Sequence, residues 1–185
     1  MSEEIEIQEH PRWVPLVLHE GIDAVETSLR EWFPEAEDAV GVEACIGMAR
    51  VLLEDTEAGH NLAAWVLIPD GDRLQPITVA TLRVLHVSDD TTVDDLVRSV
   101  VGETEHVQSP VVDTVPTASG PATIIRFRPT VRVEAVDEVH QVVVVGWLRA
   151  EDEAAYLLSA VSDDLVEGED LMDMMQVLAE GVGGL

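Results

Sequence analysis

From Asn61 onward the chain repeats a pattern that few folds accommodate: runs of β-branched and aromatic residues separated by short polar turns. Residues 61–68 and 77–87 flank Pro69-Asp70-Gly71-Asp72, where proline presets φ and Asp and Gly tolerate the tight reversal. Runs 107–115 and 122–133 follow, with Pro116 and Ser119-Gly120-Pro121 between them. Runs 139–149 and 154–162 are joined by Ala150-Glu151-Asp152-Glu153. Most of these connections are too short for a parallel crossover, so successive strands should pair antiparallel. A further short strand, 13–18, is expected behind Pro11.

Elsewhere the apolar period lengthens to that of a helix. Ile22, Val25, Leu29, Trp32 and Phe33 share one helical face, and Pro34 ends the segment. Thr91 or Thr92 starts a helix carrying Val93, Leu96, Val97, Val100 and Val101, with Asp94 and Asp95 in its favourable first turn. A last helix, 169–181, is expected to carry Leu171, Met174, Met175, Leu178 and Val182 on its stripe and to be closed by Gly181, Gly183 and Gly184. Residues 37–57 suit a helix through Val40, Ala44, Met48, Val51 and Leu52, closed by Gly59; the alternation Val42, Ala44, Ile46, Met48 also suits a strand, and the helix is preferred. Each helix has an apolar stripe to bury, and the expected fold is therefore a layered α+β sandwich, a mainly antiparallel sheet covered by helices. The chain is the length of one domain, 1–185, with 1–10 expected to form an acidic, flexible arm.

Charge narrows the chemistry. The net charge is −27, and all ten cations are arginine; the chain has no lysine. A Walker or kinase lysine, a pyridoxal Schiff base and a Ser-x-x-Lys site are therefore excluded. The field repels phosphate backbones and anionic lipid, which disfavours nucleic-acid and membrane partners and favours a basic protein surface. The acidic N-terminal residues do not resemble a secretory leader, no apolar run approaches membrane-spanning length, and Cys45 is the single cysteine. A cytoplasmic location is expected.

The strand and helix order over residues 60–182 is carried by Ile77-Thr-Val-Ala-Thr-Leu-Arg-Val-Leu running into Thr91-Thr-Val-Asp-Asp-Leu. It continues through His140-Gln-Val-Val-Val-Val-Gly-Trp and Tyr156-Leu-Leu-Ser-Ala-Val to the final helix. This order resembles the PsbP-like superfamily, which takes in a photosystem subunit, a Ran-GTPase-binding protein and many bacterial proteins, and it looks like that group's lysine-poor actinobacterial members. The resemblance implies a fold used for binding rather than catalysis and carries over no functional residue.

No residue set has catalytic or metal-ligating spacing. His10, His19, His60, His86, His106 and His140 are scattered, and His19-Glu20 lacks the second histidine of a zincin helix. Asp89, Asp90, Asp94 and Asp95, and the cluster Asp163, Asp164, Glu167, Glu169, Asp170 and Asp173, adjoin helix starts, where carboxylates oppose the macrodipole, and lack calcium-loop spacing. Cys45, beside Glu43 and apolar neighbours, reads as a core residue, and Ser119 reads as part of a turn. No metal or organic cofactor is expected. One feature opposes the field: Arg126, Arg128 and Arg132 share a two-residue period, a candidate site for an anionic ligand or an acidic peptide, unless they pair with this chain's own acids. Pro129 stands within that stripe and can break its register. The leading reading is a non-enzymatic cytoplasmic binding or adaptor domain. An acidic immunity or inhibitor protein that neutralises a basic partner is the alternative, and a small-ligand-binding enzyme of unrecognised type is a third.

Overall fold

The structure, a computed structural model, describes residues 6–7, 10–54, 61–68, 74–103, 105–133, 135–163, 165 and 170–185. It is an α+β fold whose paired strands all run antiparallel. Two compact units are formed by residues 10–83 and by residues 1–9 with 84–185. No helix among the described residues is long and apolar enough to cross a membrane. The Pro69–Asp72 turn, Gly59, His60 and three acids of the 163–173 cluster, Asp164, Glu167 and Glu169, lie outside the described residues. Within the expected flexible arm, β1 (Glu6–Ile7) instead pairs with residues 182–183, so Val182, expected on the stripe of the last helix, is strand.

In the unit of residues 10–83, β2 (Trp13–Leu16) pairs with β3 (Asn61–Leu67), and β3 with the first part of β4 (Thr78–His86). Pro15 is tolerated in β2 because this strand has a neighbour on one side alone. Helix α1 (Ile22–Trp32) buries Val25 and Leu29, while Trp32 stays 48% exposed. The helix stops because Pro34 disfavours helical backbone at Phe33, whose N–H makes the last bond, to Leu29 O at 2.9 Å. Within 37–57 the described residues are helical as expected, as α2 (Ala39–Glu54) after a short 3-10 turn, and 55–57 lie outside the described residues.

The face of α2 differs from the sequence expectation. Gly41, Val42, Cys45, Ile46 and Ala49 are buried, against Val14, Leu16, Ala64 and Val66, whereas Val40 and Ala44 are exposed and Val51 is 68% exposed. Apolar residues occupy most of the circumference of this helix, broken by Glu43 and Arg50 on one flank, so periodicity could not choose its inner side. The choice is made from outside the helix. The buried carboxylate of Asp38 accepts the Leu74 N–H at 2.9 Å, and Gly41 lies directly against the Leu74 backbone. Leu29 and Ile46, each fully buried, contribute about 1.5–3 kcal/mol apiece.

The second unit is built on four strands in the order β10 (Ala154–Ser162), β9 (Gln141–Arg149), β6 (Gly120–Phe127) and β5 (Val111–Thr117). Helix α3 (Val93–Val101) lies on one face, where Leu96 meets Ile125, Phe127, Val144 and Leu157. Thr92, not Thr91, caps it. The Thr92 Oγ1 accepts from Asp95 N at 3.2 Å and the Asp95 carboxylate accepts from Thr92 N at 3.0 Å, a capping box worth about 1 kcal/mol. Residues of opposite parity, among them Ile124, Val145 and Trp147, are fully buried on the other face, left for α4 (Leu171–Glu180), which packs on β9, β10 and β5. The hairpin turn at Ser119 ties down the chain end: its Oγ donates to Val182 O at 2.9 Å and accepts from Leu185 N at 3.3 Å.

Two expected strands are divided. Residues 122–133 break at Pro129 into β6 and β7 (Thr130–Val133), and β7 forms its own two-stranded sheet with β8 (Val136–Val139), which in turn is separate from β9. Pro129 has no N–H to continue a ladder, and its carbonyl accepts instead from His140 N at 3.1 Å. The expected strand 107–115 forms four residues later, between Pro110 and Thr117, because Val107 N is used by Arg128 O at 3.0 Å.

Candidate interaction surface

The break at Pro129 disperses the arginine stripe. Arg132 is on β7 and donates Nη1 to Asp137 Oδ1 at 2.7 Å, its cross-strand partner on β8. Arg128 lies in the link and directs Nε and Nη2 at the Oε1 of Gln141, at 3.1 and 3.0 Å. Gln141 is fully buried, so Arg128 clamps the link to the start of β9. Arg126 remains on β6, half-buried between Val111 and Val143, and its guanidinium has no hydrogen-bond partner among the described residues. Two of the three arginines are thus committed to the chain's own groups.

The other candidates divide similarly. Asp95 is held below the usual carboxylate range by the Thr92 hydroxyl first, then by the Thr92 N–H and Arg98. Asp90 accepts from Ser88 Oγ at 2.5 Å. These acids are local caps. His106 and His140 approach the same residue, Pro129: His106 bridges to it and stands edge-on to Phe127 at 5.5 Å, while His140 bonds its carbonyl. Among the described residues no group of three or more His, Cys, Asp or Glu is placed to hold a metal ion.

Cys45 is fully buried, and desolvation pushes its thiol up to about 11. An unfolded thiol ionises near 8.5, so the folded chain holds the proton longer. The contribution is intact below about pH 8.5 and is lost as pH rises toward about 11, by roughly 2–3 kcal/mol. With no lysine and a single tyrosine, few other groups ionise in this window. Denaturant melts at about pH 8 and about pH 10.5 should show this loss in the wild type and not in Cys45→Ala; equal losses would assign it to other groups.

Sequence reading missed the outer edge of β5. Val111, Val112, Asp113 and Thr114 are all exposed, and β5 is the terminal strand of its sheet. Its phase follows from its prolines. Pro116 stands opposite Pro121, and since neither has an N–H, that pair makes no ladder bonds. Antiparallel alternation then commits the N–H and C=O of residues 111, 113, 115 and 117 to β6 and turns those of Val112 and Thr114 outward. Pro116 blunts one end of this edge, and the Val112–Thr114 end is open. Beside it lies a shallow cleft of about 360 Å3 lined by Val97, Arg98, Val101, Gly102, Glu103 and Pro110. Val112 shares sheet parity with Ile125 and so points to the α3 side, toward the helix that lines the cleft. Glu103, Glu105 and Asp113, all exposed, make the surroundings acidic. The one legible signal was the run Pro110-Val-Val-Asp-Thr-Val-Pro116, an apolar strand with a proline at each end.

No family model matches the chain, and no curated protein matches it.

Proposed function

We propose that this chain is a non-enzymatic, cytoplasmic binding module that takes up an extended, basic segment of a partner protein along the open edge of β5. The observation that carries the reading is the pair of outward-facing backbone groups at Val112 and Thr114 next to an apolar cleft. A strand added there would gain main-chain hydrogen bonds, and alternate side chains would lie over Val97, Val101 and Pro110. Charge selects the partner. Glu103, Glu105 and Asp113 and the net charge of −27 attract lysine and arginine side chains and repel acidic ones. The resemblance to a superfamily used for binding points the same way.

A labelled peptide of alternating lysine and valine is the probe, read by fluorescence anisotropy. Thr114→Pro removes one outward N–H and places a second proline in the phase that Pro116 already occupies, so the strand tolerates it. The substitution should weaken binding about tenfold or more with an unchanged melting curve. A glutamate–valine peptide should not bind. Equal binding by wild type and Thr114→Pro, or no binding of the basic peptide at all, would overturn the proposal.

A further inference from the structure

The outward face of α2 carries few charges for so acidic a chain. Val40 is 82% exposed, Val51 is 68% exposed, Ala44 is exposed, and nothing lies within 4 Å of where a Gly47 Cβ would stand. These four residues follow the spacing i, i+4, i+7, i+11, the seam of a helix meant for another helix. Between Ala39 and Leu53 there is one acid, Glu43, and one base, Arg50. Glu43 receives Arg30 Nη2 at 2.7 Å but its side chain remains 62% exposed. Arg50 is exposed and has no side-chain partner among the described residues, in a chain with 37 acids.

Glu43 and Arg50 are seven residues apart, so they occupy the same flank of the seam, two turns from each other. In a parallel helix pair that flank meets the partner's opposite flank. In an antiparallel pair it meets itself in reverse, and Glu43 of each copy then stands against Arg50 of the other, twice. We infer that α2 is the seam of a two-fold antiparallel homodimer of this chain, with Ala44 and Gly47 near the axis and the Glu43–Arg50 pairs closing one side. Self-pairing fits this face better than a basic partner does, because the seam is close to neutral. A helix of 16 residues spans about 24 Å, and its stripe covers less than the ~800 Å2 per partner of a standard interface, so the contact is weak, with Kd about 0.1 mM or above. Two chains of charge −27 also repel, and salt screens that repulsion.

Sedimentation equilibrium from about 10 µM to about 1 mM protein, at low salt and at about 0.5 M sodium chloride, tests the inference. The mass should rise toward that of a dimer with concentration, and more readily in salt. Val51→Asp should abolish the rise without altering the melting curve, since Val51 touches solvent. Arg50→Glu should weaken dimerisation about fivefold or more, and Glu43→Arg combined with Arg50→Glu should restore it, a rescue that a parallel pair would not show. A monomer at every concentration and salt, a dimer indifferent to Val51→Asp, or no rescue in the double variant would overturn it.

Discussion

Gly41→Ala is expected to destabilise the chain by about 3 kcal/mol or more, although alanine is the better helix former. A methyl at residue 41 would sit on the Leu74 carbonyl oxygen, 2.7 Å from its carbon and 3.3 Å from the Leu74 Cβ. Leu74 cannot yield: its side chain is fully buried and its N–H is held by the Asp38 carboxylate at 2.9 Å. Relief would require α2 to move off the sheet or the Asp38 bond to break, leaving a buried carboxylate without that donor. Gly47→Ala is the matched control on the same helix. Its methyl would meet nothing within 4 Å, and the gain in helix propensity should stabilise by about 0.5–1 kcal/mol. In a chain of this length the two variants should separate by roughly 8–16 °C in Tm. Similar melting temperatures would show that the approach of α2 to Leu74 is looser than described.

The second large effect is expected in the other unit. Trp147 is fully buried on β9, and its Nε1 donates to Thr117 Oγ1 at 2.8 Å, while that hydroxyl donates to Gly120 O at 2.6 Å. The indole thus fills the sheet face and pins the β5–β6 hairpin. Trp147→Ala should cost about 3–5 kcal/mol through the cavity left behind. Trp147→Phe keeps most of the bulk and loses the hydrogen bond, so it should cost about 1–2 kcal/mol. Denaturant melts of the two variants check the order. A phenylalanine as damaging as alanine would assign the stability to the hydrogen bond rather than to packing.

The sequence exposed those parts of the fold that local patterning controls. The runs that became β3, β4, β9 and β10 were readable because their side chains alternate or are continuously apolar between turns. Helices α1 and α3 were readable because each has one apolar stripe and a clear end, Pro34 for the first and the Thr92 capping box for the second. The inner face of α2 was not, since Val40, Ala44 and Val51 are as apolar as Val42, Cys45 and Ile46, and the deciding contacts come from residue 74. The arginine stripe was visible as a period of two, and Pro129 as a possible break in it. That Arg128 would turn to Gln141 and Arg132 to Asp137 depended on pairings far along the chain. The edge position of β5 was hidden for the same reason. Strand order in a sheet is a long-range outcome, and only the prolines at residues 110 and 116 marked this strand locally.

The two exposed surfaces call on different physics. At β5 the unmet groups are backbone amides and carbonyls, which any extended segment can satisfy, so charge must supply the selectivity. At α2 the unmet groups are apolar side chains, which pair by shape and register. A basic peptide should therefore compete for the first and leave the second untouched.

Amide hydrogen exchange, followed by NMR on the nitrogen-15-labelled chain with and without the lysine–valine peptide, tests the strand-addition account most directly. In the free protein the N–H groups of Val112 and Thr114 should exchange fast, and those of Val111, Asp113 and Val115, bonded to β6, should be protected. Bound peptide should protect Val112 and Thr114 by about tenfold or more and change their odd-numbered neighbours little. Peptide binding that leaves Val112 and Thr114 exchanging at their free rates would contradict the account, because the partner would then be held somewhere other than the open edge of β5.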